Sequence, residues 1–275
     1  MRMVGAALFA LAPALGQAAD MPTKASEPAP DWIVTVGIEG QTVPAWPGAA
    51  TNKIRFVALP LVSVRKAGTP PEFFGPRDSL GIDLIDFGAV KFGPALRLVP
   101  ARRASAYTEL NGLGNVDFAV QAGAFAEYWP VPWLRMRGEL RQGFAGETGV
   151  TGDAIIDAVG RFGALTLSAG PRLTAQSAAA TSPYFSITPA QSAASTIAGL
   201  PMLPVYDAGG GLYSYGAGTQ ARYFFTPQWS TLAFIEYERL TGDAANSPLV
   251  TARGSPNQTT LGLAFTYSFA MHPLW

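Results

Sequence analysis

Four ionisable side chains alternate along one short stretch: Arg135, Arg137, Glu139 and Arg141. On an extended chain, residues two apart point to the same side, so these four share a face. A row of arginines along a water-filled path would bias that path toward anions. Interleaved with carboxylates, the same row pairs internally and fills the space it faces. The paired reading is expected to prevail, with Arg97, Asp117, Glu127, Arg172, Arg222, Glu236 and Glu238 completing the network from neighbouring segments. Glu236 and Glu238 also share a face and could share protons. Arg239 and the facing arginines would more simply neutralise them.

Other reactive chemistry is sparse. Hydrolytic catalysis generally relies on a general base, most often His. The single His, His272, stands close to the end of the chain. Cys is absent, which removes disulfides, thiolate metal sites and a Cys nucleophile. Asp243 and Asn246 could ligate calcium, but the segment Gly242–Pro248 has too few carboxylates for a dedicated site and reads as a turn built from Asp, Asn, Ser and Pro. No enzyme activity and no cofactor are expected. With a formal net charge of zero and 14% charged residues, the chain lacks the basic footprint of a nucleic-acid binder.

The elements that must carry these side chains read as strands. The chain has 275 residues, with 30 Gly, 16 Phe, 9 Tyr and 6 Trp, a composition that suits many short strands and turns. In Val116–Tyr128 the apolar face runs Val116, Phe118, Val120, Ala122, Ala124, Ala126, Tyr128, against Asp117, Gln121, Gly123 and Glu127. In Trp133–Phe144, Leu134, Met136, Leu140 and Phe144 oppose the Arg/Glu row, with Pro130-Val131-Pro132 between the two segments as a tight connection. Leu165–Gln176, Leu212–Phe225 and Thr259–Phe269 alternate in the same way. Trp32–Gly40, Ile54–Arg65, Leu80–Gly88, Phe92–Arg103, Ala154–Gly163 and Trp229–Leu240 are less regular strands. Segments of about ten residues match tilted membrane-crossing strands. A soluble sandwich would bury the apolar face, whereas a membrane barrel turns it to lipid. Aromatic residues near strand ends (Trp32, Tyr128, Trp129, Trp133, Tyr223, Trp229, Tyr237, Tyr267, Phe269) favour the barrel, as an interfacial girdle. The expectation is an all-β, antiparallel transmembrane β-barrel of about 12 strands, with 10–14 allowed, and a further strand between Pro183 and Tyr206.

The ends have their own signals. Residues 1–18 combine Arg2, an apolar run from Met3 to Leu15 and the small-residue sequence Gly16-Gln17-Ala18, the layout of a cleaved signal peptide. Residues 19–31 read as a flexible periplasmic leader, 32–269 as the barrel and 270–275 as a tail. The expected location is the outer membrane, with membrane lipid as a partner.

The most distinctive motifs follow Pro183: Ser182-Pro183-Tyr184-Phe185-Ser186-Ile187-Thr188-Pro189-Ala190-Gln191-Ser192, then Leu203-Pro204-Val205-Tyr206-Asp207-Ala208-Gly209-Gly210-Gly211, then Tyr237-Glu238-Arg239-Leu240-Thr241-Gly242-Asp243 through Ser247 and Pro248, and Gln258 before the last strand. This series resembles the MipA/OmpV family of outer-membrane proteins over nearly the whole mature chain. Family sequences tend to stop at the aromatic closing the last strand. Here residues 270–275 continue, leaving Phe269 or Trp275 as the barrel-assembly signal. The resemblance implies an outer-membrane barrel. It also implies a cell-envelope scaffold joining a lytic transglycosylase to a bifunctional peptidoglycan synthase, or else a surface antigen or adhesin. From the residues alone, Tyr184–Ser192 is either an ordered loop that enters the lumen or meets a partner, or a mobile outer loop. The lumenal charges keep a narrow channel for small solutes as the alternative to a scaffold.

Overall fold

The computed structural model describes residues 32–58, 63–68, 71–196 and 200–271. The expected signal peptide and leader (residues 1–31), His272 and Trp275 lie outside the described residues. Among the described residues, thirteen antiparallel strands form one sheet that curls into a barrel. They are β1 (Trp32–Pro44), β2 (Asn52–Ala58), β3 (Ser63–Lys66), β4 (Leu80–Gly81), β5 (Ile85–Asp86), β6 (Val90–Val99), β7 (Ala119–Val131), β8 (Leu134–Phe144), β9 (Val150–Phe162), β10 (Leu165–Gln176), β11 (Gly211–Phe224), β12 (Trp229–Leu240) and β13 (Asn257–Met271). The first and last strands lie side by side, with Trp32 opposite Met271. β13 therefore continues through Ala270 and Met271, beyond the expected end of the barrel at Phe269. From β6 to β13 each strand pairs with its sequence neighbour. β2 and β3 pair in turn with β1, and β4 and β5 with β6, so each couple acts as one interrupted strand.

The alternation has the sense of a membrane barrel. Leu140, Phe144 and Phe162 are 62%, 56% and 64% exposed, while Arg135 and Arg141 are fully buried. A water-soluble sandwich would show the reverse. Trp32, Tyr128, Trp133, Tyr223, Phe225, Trp229, Tyr267 and Phe269 stand on the outer surface near one end, where Trp229 and Tyr267 pack with ring centres 4.7 Å apart. Trp129 departs from this girdle. It shares the inward face of β7 with Glu127, two residues before it, and its indole N–H donates to Glu127 Oε1 at 2.7 Å.

Connections differ sharply between the two ends. At the end holding Trp32 and Met271, β7–β8, β9–β10 and β11–β12 join through turns of two to four residues. In the β9–β10 turn, Gly163 takes φ +59°, the left-handed conformation that two-residue hairpins require. At the other end the β6–β7, β10–β11 and β12–β13 connections are long: the first holds two 3-10 turns, the second α1 (Ala178–Phe185) and α2 (Pro189–Ala194), the third α3 (Gly242–Asn246) and α4 (Pro248–Arg253). The stretch 183–206, expected to hold a further strand, has none among its described residues: it carries the end of α1, all of α2 and a single bridge between Ile187 and Tyr206. It lacks period-2 alternation, and Thr188, Pro189 and Gln191 build a helix start: Pro189 opens the first turn while the Thr188 and Gln191 side chains cap each other's backbone N–H groups. Likewise, 242–253 holds two short helices rather than a simple turn, with Gly242 at φ +53° as the first residue of α3 and Pro248 at the start of α4.

Apolar burial concentrates in this helical cap. One cluster joins Ala45, Trp46, Leu110, Leu113, Ile187, Leu203 and Leu249; a second joins Val116, Tyr184, Phe185, Ala208, Leu240 and Val250. Val116, expected on the lipid face, is buried here because β7 begins only at Ala119.

Candidate functional site: a plugged, charge-paired lumen

The inward face of the barrel carries the predicted ionisable row, and the chain supplies a wedge to meet it. Between β3 and β4, residues 71–79 fold into the lumen. Asp78 accepts from Arg135 at 2.7 and 3.2 Å and closes its own turn through the Gly75 N–H at 2.8 Å. Its neighbour Arg77 lies 3.5 Å from Asp153 on β9 and reaches β12, 3.8 Å from Glu236 and ion-paired with Glu238. Ser79 donates through its hydroxyl (2.5 Å) and its N–H (3.1 Å) to Glu139. Apolar contacts complete the seating. Phe74 packs on Leu232, Phe234 and Ala264, and the Arg135 guanidinium lies 5.1 Å from the Phe73 ring centre.

Around this wedge the wall side chains interlock. Arg135 also pairs with Glu127 (2.7 Å) and Asp157 (3.1 Å). Arg137 bridges Glu127 (3.2 Å) and Glu139 (2.8 Å), and its guanidinium lies 3.8 Å from the Phe125 ring centre. Arg141 pairs with Glu139 and Asp153, and Arg97 lies 3.4 Å from Asp153. Arg172 links Asp157 (2.7 Å) to Glu236 (3.5 Å). Six guanidiniums thus face seven carboxylates within ion-pair distance. Buried charges are tolerated when each is paired and hydrogen-bonded, which this near-neutral set achieves.

Most predicted lumenal residues meet here: Arg97, Glu127, Arg135, Arg137, Glu139, Arg141, Arg172, Glu236 and Glu238. Two do not join. Asp117 precedes β7 and pairs at the exposed rim with Arg103 (3.2 Å), because the strand that would turn it inward has not yet begun. Arg222 points into the lumen from β11 but has no ion-pair partner among the described residues. Sequence reasoning missed four members. Asp153 and Asp157 follow the period-2 pattern of β9, where Thr151, Asp153, Ile155, Asp157 and Val159 all face inward. Arg77 and Asp78 sit in a segment with no strand period, and only the charge pair after Phe73-Phe74 marks it.

The wedge divides the interior into two chambers. One, of about 410 Å³, opens at the short-turn end and is lined by Phe73, Trp129, Lys91, Arg161 and Arg222 among others. The second, of about 490 Å³, lies toward the helical cap and is lined by Lys53, Arg55, Arg102, Tyr107, Tyr184 and Tyr213 among others.

The predicted motif residues build the cap. Gln191 donates to the Leu113 carbonyl, and Ser192 lies buried in the first turn of α2, its N–H bonded to the Thr188 carbonyl at 2.8 Å. Ser247 Oγ donates to the Phe185 carbonyl at 2.7 Å, tying the β12–β13 connection to α1. Asp243 accepts from the Gly209 N–H at 2.6 Å, and the Tyr206 hydroxyl donates to the Asp243 carbonyl at 3.0 Å. Gln258 accepts from the Gly48 N–H and donates to the Ala49 carbonyl, both at 3.1 Å. Arg102 donates to the Tyr184 carbonyl at 2.7 Å and lies over the Tyr184 ring. Burial lowers the Arg102 guanidinium to about 10 and raises the Tyr184 phenol to about 12. Burial also raises the Glu147 carboxyl, which accepts from Gln121. Tyr184–Ser192 is thus an ordered part of the cap.

Several solved structures are similar to the chain. They include an outer membrane channel from Pseudomonas putida F1 (13% identity, TM-score 0.39, covering 91% of this chain and 100% of that one). They also include the NanC porin (8%, TM-score 0.37, 86% and 98%) and OmpT of Vibrio cholerae (10%, TM-score 0.35, 87% and 97%). No curated protein matches the chain in sequence. The model of the family described as MltA-interacting protein MipA matches residues 36–269. A match over that span, on a barrel whose distinctive motifs form one interlocked cap, places this outer-membrane β-barrel protein in the MltA-interacting protein MipA family.

Proposed function

We propose that this protein is a non-enzymatic cell-envelope scaffold that holds peptidoglycan-remodelling enzymes at the outer membrane. The observation that carries the reading is the seated wedge. Residues 71–79 cross the lumen on at least five ion-paired or hydrogen-bonded partners, so the barrel serves as a rigid platform rather than as an open pore. The family description, MltA-interacting protein, points to a lytic transglycosylase as one partner and is compatible with a bifunctional peptidoglycan synthase as the other. In bacterial barrels the short turns face the periplasm. The short-turn end, with its aromatic girdle and open chamber, is then the face such enzymes meet. Capture of purified transglycosylase and synthase by the detergent-solubilised barrel tests this. Retention of either supports the reading, and retention of neither overturns it.

A second reading is a narrow channel for small solutes. It is favoured by the two chambers, one on each side of the wedge, which displacement of that segment would join. Planar-bilayer recordings that stay at background under all conditions would remove it.

A further inference from the structure

Two inward-facing arginines, Arg222 in the lumen and Arg161 at its exposed short-turn rim, are left out of the charge network, and the strand register brings them together. Thr166 on β10 stands directly opposite Arg161 of β9 and directly opposite Arg222 of β11. Directly opposed residues of antiparallel strands project from the same face. The three side chains therefore form one row across adjacent strands, with the arginine Cα atoms about 10 Å apart at two strand spacings.

Arg222 has no hydrogen-bond or ion-pair partner among the described residues, and its Nε is buried and unpartnered. Arg161 spends one N–H on the Pro132 carbonyl (2.9 Å) and lies 5.3 Å from the Trp129 ring centre, with no carboxylate in ion-pair range among the described residues. Both line a niche of about 20 Å³ that also touches Thr166, Gln220, Phe73, Phe224 and Glu72. That volume suits one small polar group, since a single water needs about 10–15 Å³ on this measure. The same arginines and phenylalanines also line the 410 Å³ chamber at the short-turn end, together with Phe74, Phe125 and Trp129. A guanidinium without a counter-charge in a partly dry pocket is costly unless an anion meets it.

We propose that Arg161, Thr166 and Arg222 form a binding site for the carboxylate of a small aromatic monocarboxylic acid, whose ring lies in the adjoining chamber. Two guanidinium forks offer planar, paired donors, and the hydroxyl between them supplies a third. The Glu72 carboxylate on the niche wall, itself paired with Lys91 at 2.6 Å, disfavours a dianion such as phosphate. The aromatic lining favours a ring over a sugar or a polyol. The site stands on this geometry whether or not the scaffold reading holds.

Calorimetric titration of the full-length barrel in detergent tests the proposal, using N-acetylphenylalanine, its C-terminal amide and inorganic phosphate as probes. The acid is expected to bind, with the amide weaker by about tenfold or more, as loss of a charge-assisted pair implies. Phosphate is expected to bind more weakly than the acid. Arg222→Gln is expected to weaken acid binding by a similar factor; Arg161→Gln, on the exposed side of the niche, provides the same reading should Arg222→Gln fail to fold. Folding is checked by heat-modifiable migration. Equal binding of acid and amide, no binding of either, tighter binding of phosphate, or unchanged affinity in a folded variant would each overturn the assignment.

Discussion

Replacing Asp78 with Ala should unseat the wedge. In the parent, Asp78 meets Arg135 through two contacts and lies 3.7 Å from Arg137, with its side chain 3% exposed. Removing one partner of a buried ion pair costs about 3–5 kcal/mol when the remaining charge is left uncompensated. Arg135 keeps Glu127 and Asp157, so the lower end, about 3 kcal/mol, applies. The barrel wall keeps its ladder of backbone hydrogen bonds in either state. The loss therefore falls mainly on the equilibrium between wedge in and wedge out, shifting it by about two decades. Planar-bilayer recordings of the purified protein should show a parent near background and a variant with conducting events raised by a comparable factor. Heat-modifiable migration verifies that the variant is still a barrel. A folded Asp78→Ala protein as silent as the parent would refute the idea that this pair holds the wedge.

Two further outcomes follow from the cap. Burial raises the Glu147 carboxyl, so the folded state retains a proton that the unfolded chain releases near pH 4.3. That contribution to stability is complete below the unfolded value and is lost as pH rises through the folded one. Glu147→Gln should therefore stabilise the protein at pH 7, with the gain vanishing below about pH 4, as read from denaturant midpoints in detergent. Arg253 ties the cap together by donating to the carbonyls of Ser195 (2.6 Å), Pro201 (3.0 Å) and Glu109 (3.0 Å). Arg253→Ala leaves those carbonyls unpaired, at about 1–3 kcal/mol for each one that water does not reach. Limited proteolysis should cut the β10–β11 connection faster, while heat-modifiable migration of the barrel stays unchanged.

The wall of this barrel was legible because its chemistry repeats every second residue. Arg135, Arg137, Glu139 and Arg141 lie on one strand, and the alternation that reveals the strand also reveals which way they point. The same rule reached across β7 to Glu127 and across β12 to Glu236 and Glu238. It failed where the period stops. Val116 and Asp117 continue the alternation on paper, yet β7 starts two residues later, so one drops into the cap core and the other turns to solvent. Trp129 reads as girdle by its place near a strand end, but it is two residues from Glu127 and shares that inward face, where its indole N–H meets the Glu127 carboxylate. The cap motifs were visible as motifs, while their role was not. Bonds such as Ser247 to Phe185 or Gln258 to Gly48 span 62 and 210 residues of sequence and leave no local pattern.

The wedge was the least legible element and the most consequential, and its two charges explain why a lumen so rich in arginine excludes an open path. The inward face of β8 offers Arg135 and Arg137 beside Asp78, with Glu139 and Arg141 further along, whereas the inward face of β12 offers Glu236 and Glu238. Arg77 and Asp78 are adjacent and opposite in sign, and each turns to opposite charges: Asp78 to Arg135 of β8, Arg77 to Glu236 and Glu238 of β12 and Asp153 of β9. The wedge is thus a dipole set into a complementary lumenal field, beyond simply filling space. Exchanging the pair (Arg77→Asp with Asp78→Arg) preserves composition, net charge and roughly the volume, and it reverses the dipole. Were neutrality and bulk sufficient, the exchanged protein would remain as closed as the parent. If orientation matters, the arginine introduced at position 78 would confront Arg135, and the aspartate introduced at position 77 would confront Glu236. Each like-charge contact inside a partly dry lumen costs at least as much as the attraction it replaces. The exchanged protein should then conduct more than Asp78→Ala does. A folded double variant that stays at parental background would show that packing of Phe73 and Phe74 alone keeps the lumen shut.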